Sequence, residues 1–307
     1  MQIAVTSPSF SKNVLLREEV IRIFPDAVFN TAGVKLEGPA LADFIKDADG
    51  IIVGLEKIDK TIIEGCRKLR IISKYGVGLD NIDCDYCRRN NVHVRWTPGV
   101  NRVSVAEMVV AFMISLCRNL FITSVQLKGG LWNKSGGTNL SNRTVGIIGV
   151  GNIGKEVVRL LEPFRCKIMV NDIIDQSSYY REHGLIEQSK DEIYRNADIV
   201  TVHVPLTDLT RGMIGRRAFT SMKKGSFFIN TARAGIVDTK DMTWALKEGV
   251  IAGAAVDVYD EEPPGNPDLL LLPNLICTPH IGGNSVESIL AMGRSSINHL
   301  KEFFKID

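Results

Sequence analysis

Arg233, Glu262 and His280 are the residues of this chain whose types and placement suggest acid–base and anion chemistry, because each stands just past an apolar run that reads as a buried strand. Arg233 follows Asn230-Thr231-Ala232. A guanidinium beside small residues there is costly unless it meets an anion, and its planar fork suits a carboxylate in bidentate fashion. A surface arginine paired with a nearby acid is the alternative. Glu262 precedes Pro263-Pro264, and His280 lies in Thr278-Pro279-His280-Ile281-Gly282-Gly283, a loop bounded by proline and glycine. Alone, such a histidine reads as structural. Beside Arg233 and a carboxylate that orients it, it reads as a general acid/base. Asp257 ends a strand over the same edge.

A second constellation points to a dinucleotide. Gly149-Val150-Gly151-Asn152-Ile153-Gly154 follows the apolar run Thr144–Ile148 and precedes an amphipathic helical stretch beginning at Lys155. A second strand, Lys167–Asn171, ends at Asp172, about 20 residues past the glycines. In that order the glycines give a tight turn, a close backbone approach to pyrophosphate and helix–strand packing, and the carboxylate accepts from ribose hydroxyls. Asp172 also argues for NAD over NADP, since it would repel a 2′-phosphate. Elsewhere, Gly76-Val77-Gly78 follows a strand. It suits either backbone amides presented to an anion or a plain strand–helix turn. Cys84 and Cys87 form a CxxC without a second Cys or His pair. Packing on a short helix is the better reading there than zinc or redox work, and no metal is expected.

The elements that must position these residues alternate along the chain. Strand-like runs at Gln2–Thr6, Gly50–Val53, Leu69–Ser73 and Val92–Trp96 are separated by helical stretches, one of them capped by Ser11 and running to about Ile23. After Thr97-Pro98-Gly99 a long helical pattern runs through Val105, Val109, Phe112 and Leu116 toward Leu120. Further strands are read at Asp198–Val204, where Pro205 ends the ladder, and at Ser226–Asn230, Ile251–Asp257 and Leu275–Thr278, with a last helix over Ser285–Phe304. Near-continuous apolar strands between helices imply parallel sheets covered on both faces. The fold class is therefore α/β with two doubly wound lobes, a cleft between them, and the chemistry at strand C-terminal ends.

Bulk properties exclude other classes. At 307 residues, 45% hydrophobic, 23% charged and a net charge of +2, the chain gives no polyelectrolyte argument for nucleic acid or an anionic membrane. No apolar run approaches a membrane span, and the N-terminus enters a strand rather than a signal peptide. The six scattered cysteines suit a reduced, cytoplasmic setting.

Taken together, Tyr75–Asp83, Thr97–Asn101 with Ala106-Glu107, Gly149–Gly154 with Asp172, His203–Thr207, Asn230–Asp238, Ala254–Pro264 and Pro279–Gly283 resemble the D-isomer-specific 2-hydroxyacid dehydrogenases, particularly their phosphoglycerate dehydrogenase-like branch, over essentially the whole chain. The resemblance implies a flavodoxin-like substrate domain, residues 1–98 and 284–307, around an inserted Rossmann NAD-binding domain, residues 99–283. It implies a homodimer formed through the insert and the long helix after Pro98. It assigns Arg233 to the carboxylate and C2 oxygen of a 2-hydroxy or 2-oxo acid, His280 to proton exchange with that oxygen, and Glu262 to pairing with His280. Asp257 would position the nicotinamide carboxamide. Asn152-Ile153, His203-Val204-Pro205, Thr231-Ala232 and Gly282-Gly283 would line the cofactor beside Gly149, Gly151, Gly154 and Asp172. Backbone amides of Gly76, Val77 and Gly78 would hold the substrate carboxylate.

The chain departs from the family pattern after the third strand. Phosphoglycerate dehydrogenases of this type usually place an arginine there for the substrate phosphate. Here Gly54-Leu55-Glu56-Lys57 follows, where glycine offers no cation, Glu56 would repel a dianion, and Lys57 is the available substitute. Two substrate readings therefore stay open, 3-phosphoglycerate and a hydroxypyruvate- or glyoxylate-type acid. A non-catalytic NAD-sensing corepressor is the reading from another class, and a formate- or phosphite-type dehydrogenase matches the motifs less well. The sequence ends at Asp307, just after the last helix, so regulation by an appended serine-sensing domain is not expected.

Overall fold

The computed structural model describes residues 1–265 and 267–306. They divide into two compact units, Met1–Asn101 with Gly283–Asp307, and Arg102–Gly282.

In the first unit five parallel strands, β1 (Ile3–Val5), β2 (Val28–Phe29), β3 (Gly50–Val53), β4 (Ile71–Lys74) and β5 (His93–Arg95), lie in the order β2-β1-β3-β4-β5. This is the flavodoxin-like order. Alternate strand residues face opposite layers. Ala4, Ile51, Val53 and Ile72 join one apolar cluster. Ile3, Val5, Ile52 and Ile71 join another with Phe10, Leu16 and the helix Val286–Phe304, which contributes Met292, Ile297 and Leu300. A buried seam fixes that helix, with Ser73 Oγ donating to Ser296 O at 2.9 Å and Ser296 Oγ to Lys74 O at 2.9 Å.

In the second unit seven parallel strands, β6 (Thr144–Ile148), β7 (Lys167–Asn171), β8 (Ile186–Glu187), β9 (Ile199–Val202), β10 (Phe227–Asn230), β11 (Gly253–Val256) and β12 (Leu275–Cys277), lie in the order β12-β11-β10-β9-β6-β7-β8. Counted from β6, this is the Rossmann order with one strand added. The order reverses between β6 and β9, so the crevice for a ligand opens at their C-terminal ends. Val145, Ile147, Val170 and Ile229 pack toward the helices Arg102–Cys117 and Asn152–Leu161. Ile148, Val200, Phe228 and Val256 pack toward Ile193, Phe219 and Leu246 on the other face.

Local departures from the sequence reading have physical reasons. Ser11 caps nothing: it is buried, and the segment forms two helices, Pro8–Lys12 and Val14–Ile23, the second capped by Asn13, whose side chain accepts from Leu16 N at 3.1 Å. The long helix after Pro98 ends at Cys117, and a second, Leu120–Lys128, leaves it at 65°. Thr138 N–H takes the Cys117 carbonyl at 2.7 Å, and Asn119 adopts a left-handed φ of 54° at the break. A side chain at Gly137 would collide with that same carbonyl. Strands β2 and β8 escape the sequence reading because two residues show no period. Among the described residues no single helix is long and apolar enough to cross a membrane.

Candidate active site

The glycine loop lies between β6 and the helix Asn152–Leu161, at the reversal of strand order. Gly149 has φ +95°, and a Cβ there would stand 2.7 Å from His203 O. That glycine is what lets the loop close against the end of β9. A Cβ on Gly154 would strike the Gly149 carbonyl, so the helix can start this close to the strand only with glycine. Above Gly151 the space is open. Gly151 is the N-cap and supplies no side-chain cap to the helix, whose first-turn amides have no partner within the helix itself. Gly151 and Asn152 are exposed and Ile153 half-buried. Such a cradle of amides with room above the middle glycine fits a pyrophosphate.

Asp172, at the end of β7, accepts from Val150 N at 2.7 Å and from Ile174 N at 3.0 Å. It therefore braces the glycine loop as well as facing outward at half exposure. Ile173 and Ile174 beside it are 90% and 66% exposed. Two isoleucines after a strand-end acid, outside any helical period, are the sequence signal for this apolar shelf. His203 and Val204 are half-buried and Pro205 exposed in the loop after β9. His203 Nε2 contacts Thr201 Oγ1 at 3.0 Å, while burial pushes the imidazole down to about 3 and keeps it neutral. Among the described residues, His203 Nδ1 and Thr231 Oγ1 are buried polar atoms without a hydrogen-bond partner, which a polar ligand at this edge would satisfy.

The reactive groups gather at the ends of β10, β11 and β12. Asn230 locks the turn after β10, accepting from Ala232 N at 3.0 Å and donating to Arg233 O at 2.9 Å. Thr231 and Ala232 are thereby buried and Arg233 held half-exposed, its Nη1 donating to Ala232 O at 2.7 Å. Asp257, only 1% exposed, accepts from Thr278 Oγ1 at 2.6 Å, Ile281 N at 2.8 Å and Gly282 N at 2.7 Å. These bonds neutralise most of the cost of burying a carboxylate and pin the loop that carries His280. Gly282 has no room for a side chain, since a Cβ would stand 2.9 Å from Asp257 Oδ2. His280 has a left-handed φ of 54°, a region histidine tolerates better than most residues. Its Nδ1 lies 2.8 Å from each carboxylate oxygen of Glu262, and the two side chains are 37% and 33% exposed. Nδ1 between two acceptor oxygens carries the hydrogen, which leaves Nε2 as the basic atom of the neutral ring.

Gly76, Val77, Gly78 and Gly283 belong to the first unit. Gly76 has φ +137°, and the three residues of the 76–78 bend are half-exposed after β4. The polar cluster beside them differs from the sequence expectation. Glu56 does not face outward: it is 1% exposed and accepts from Gly54 N at 2.7 Å and Thr6 Oγ1 at 2.9 Å. Lys57 is 77% exposed and lies 3.5 Å from Asp59. A side chain at Gly54 would crowd Ser7 Oγ at 2.9 Å. Burial pushes the thiols up, Cys87 to about 12, which disfavours thiolate at the CxxC. Among the described residues no group of three or more potential ligands is placed to hold a metal ion.

Comparison with known proteins adds three kinds of likeness. The family profile described as "D-isomer specific 2-hydroxyacid dehydrogenase, NAD binding domain" matches residues 110–282. D-3-phosphoglycerate dehydrogenase of Methanocaldococcus jannaschii is 35% identical over 99% of this chain, which spans only 58% of that relative's length. Hydroxypyruvate reductase of Thermotoga maritima is 34% identical over 88% of both chains. Among solved structures, NAD+-bound 3-phosphoglycerate dehydrogenase of Entamoeba histolytica superposes with a TM-score of 0.82 at 28% identity, covering 100% of this chain and 96% of that one.

Proposed function

The chain belongs to the D-isomer specific 2-hydroxyacid dehydrogenase family, and from that premise we propose that it is an NAD-dependent oxidoreductase interconverting a D-2-hydroxy acid and its 2-oxo acid. The observation that carries the reading is the Glu262–His280 pair, with Nδ1 held at 2.8 Å by both carboxylate oxygens. Bound nicotinamide supplies the hydride acceptor or donor at its C4. His280 Nε2 takes the proton of the C2 hydroxyl in oxidation and returns it to the carbonyl oxygen in reduction. Glu262 fixes the orientation of the ring. Arg233 binds the acid's carboxylate and polarises the C2 oxygen.

In this reading residues 99–283 hold NAD. Gly149, Gly151, Asn152, Ile153 and Gly154 cradle the pyrophosphate, Asp172 accepts from ribose hydroxyls, and His203-Val204-Pro205, Thr231, Ala232, Gly282 and Gly283 line the remainder. Asp257 serves the nicotinamide carboxamide as well as the His280 loop. Residues 1–98 and 284–307 serve the substrate, with Gly76, Val77 and Gly78 presenting amides to its carboxylate. The buried, backbone-capped Glu56 and the side-chain-free Gly54 favour an unphosphorylated side group of the hydroxypyruvate or glyoxylate kind over a phosphate. The protein works as a homodimer. Leu120, Phe121, Val125, Leu127, Leu131 and Trp132 are 43% to 75% exposed, an apolar set that a second copy would cover. It resides in the cytoplasm, where its cysteines, all free, stay reduced.

The test is turnover of NADH with hydroxypyruvate, glyoxylate, 2-oxoglutarate and 3-phosphohydroxypyruvate, compared by kcat/KM. The proposal expects oxidation with at least one acid and a preference for hydroxypyruvate or glyoxylate. NADH binding without turnover of any acid points instead to a sensor, and preference for the phosphorylated acid overturns the assignment of the side group.

A further inference from the structure

Tyr259 is bonded to Glu262 and to the loop that carries His280. Its hydroxyl donates to Thr278 O at 2.8 Å, the carbonyl that also accepts the His280 backbone N–H at 3.0 Å. Its own backbone N–H donates to Glu262 Oε1 at 3.3 Å. One residue thus braces the base through its loop and the carboxylate directly.

The rest of the loop shows why a brace at the Thr278 carbonyl matters. Asp257 binds Ile281 N and Gly282 N, on the C-terminal side of His280, and the Thr278 side chain. The Thr278 carbonyl, on the N-terminal side, is left to His280 N and the Tyr259 hydroxyl. Between these supports His280 holds a left-handed backbone. Such a conformation persists only where its surroundings over-determine it. The Tyr259 ring packs against the apolar cluster of the second unit, next to Cys277, so the hydroxyl is aimed rather than free to swing. Burial raises the phenol's pKa, so the group remains a hydrogen-bond donor across the working pH range.

We infer that the Tyr259 hydroxyl is a positioning group for His280: by binding the Thr278 carbonyl it holds the 278–282 loop in the turn that keeps Nδ1 against Glu262. It acts through His280. The inference rests on the dehydrogenase reading above for its kinetic effect, but not for its effect on the histidine.

Tyr259→Phe removes the hydroxyl and keeps the ring, and the full chain is compared with wild type in two ways. Kinetically, kcat falls about fivefold, the factor that one ordinary hydrogen bond supplies. KM for the oxo acid and Kd for NADH stay within about twofold, as befits a group that acts on the chemical step rather than on binding. Spectroscopically, 15N-histidine NMR shows the His280 ring, identified by its disappearance in His280→Asn, held in the Nδ1–H tautomer in wild type and exchanging between tautomers in Tyr259→Phe. A variant that keeps both wild-type kcat and the wild-type His280 signal overturns the inference. So does one whose loss of kcat is matched by equal losses in NADH affinity and Tm, since that makes the tyrosine merely structural. Wild-type protein that turns over no oxo acid sinks the dehydrogenase reading instead, and the histidine spectrum still decides the role of Tyr259.

Discussion

At the C-terminal edge of the second unit's sheet, charged side chains are supported from behind and left partly open in front, whereas the first unit's edge buries Glu56 and Lys74 against its own polar groups. Behind the second edge stands Asp257, 1% exposed and bonded to Thr278, Ile281 and Gly282, with Glu262 and His280 in front, 33% and 37% exposed. At the first edge Glu56 caps Gly54 N and Thr6, and Lys74, 5% exposed, donates to Gly54 O at 2.5 Å and Asn81 Oδ1 at 2.7 Å. Both edges end parallel sheets of the same architecture. A fully satisfied buried charge shapes a loop, while a half-exposed one with a fixed partner is able to exchange a proton or meet an anion.

Substitutions at the two edges should therefore fail differently. The largest effect is expected at His280→Asn, which preserves shape and removes the titrating nitrogen: kcat falls about 10³-fold while NADH affinity, read by fluorescence titration, stays within about twofold. Retained turnover would break the contrast at its centre. Asp257→Asn comes next. One of the three loop donors then faces an amide NH₂, which costs about 2 kcal/mol in denaturant unfolding and lowers kcat as His280 loses its hold. At the first edge Glu56→Gln removes charge from two hydrogen bonds that serve only the backbone and Thr6, so it costs about 1 kcal/mol of stability and leaves kcat within about twofold. A collapse of turnover there would erase the distinction between the edges.

The smallest effect is a pH dependence at His203. Its imidazole is held neutral by burial, below its ordinary value, whereas the unfolded chain protonates near pH 6.5. Stability from this group is therefore fully present above the unfolded pKa and declines as pH falls below it, because the unfolded state binds the extra proton. The slope is at most about 1.4 kcal/mol per pH unit. Comparing Tm of wild type and His203→Gln between about pH 7 and pH 6, a span over which the group contributes about 0.7 kcal/mol, should show the wild-type slope reduced in the variant; equal slopes would assign the dependence to other groups.

Much of this was legible in the sequence, for identifiable reasons. Doubly covered parallel strands are near-continuous apolar runs, so β3, β6 and β7 were read with their boundaries. The glycine loop was legible because Gly149 and Gly154 occupy positions where a Cβ has no room. Cap choice was not, since Ser11 and Asn13 are both good caps and only packing shows that Ser11 is buried. The orientation of Glu56 was missed because its acceptor bonds reach Gly54 N, two residues back, and Thr6, 50 residues away, neither of which leaves a pattern. Tyr259 and Thr278, 19 residues apart, meet only because β11 and β12 are neighbours, a pairing that the tertiary fold creates. Even the roles of Asp257 divide this way: its place at a strand end is sequence, and its hold on the His280 loop is fold.

The proposed transfer of hydride to and from C2 of D-2-hydroxy acids carries a stereochemical signature. The most direct measurement is NAD reduction by the wild-type protein with the separate D and L enantiomers of glycerate and of lactate. NADH is expected to form with a D enantiomer and not above background with its L counterpart. Equal oxidation of both enantiomers, or of the L form alone, would contradict it.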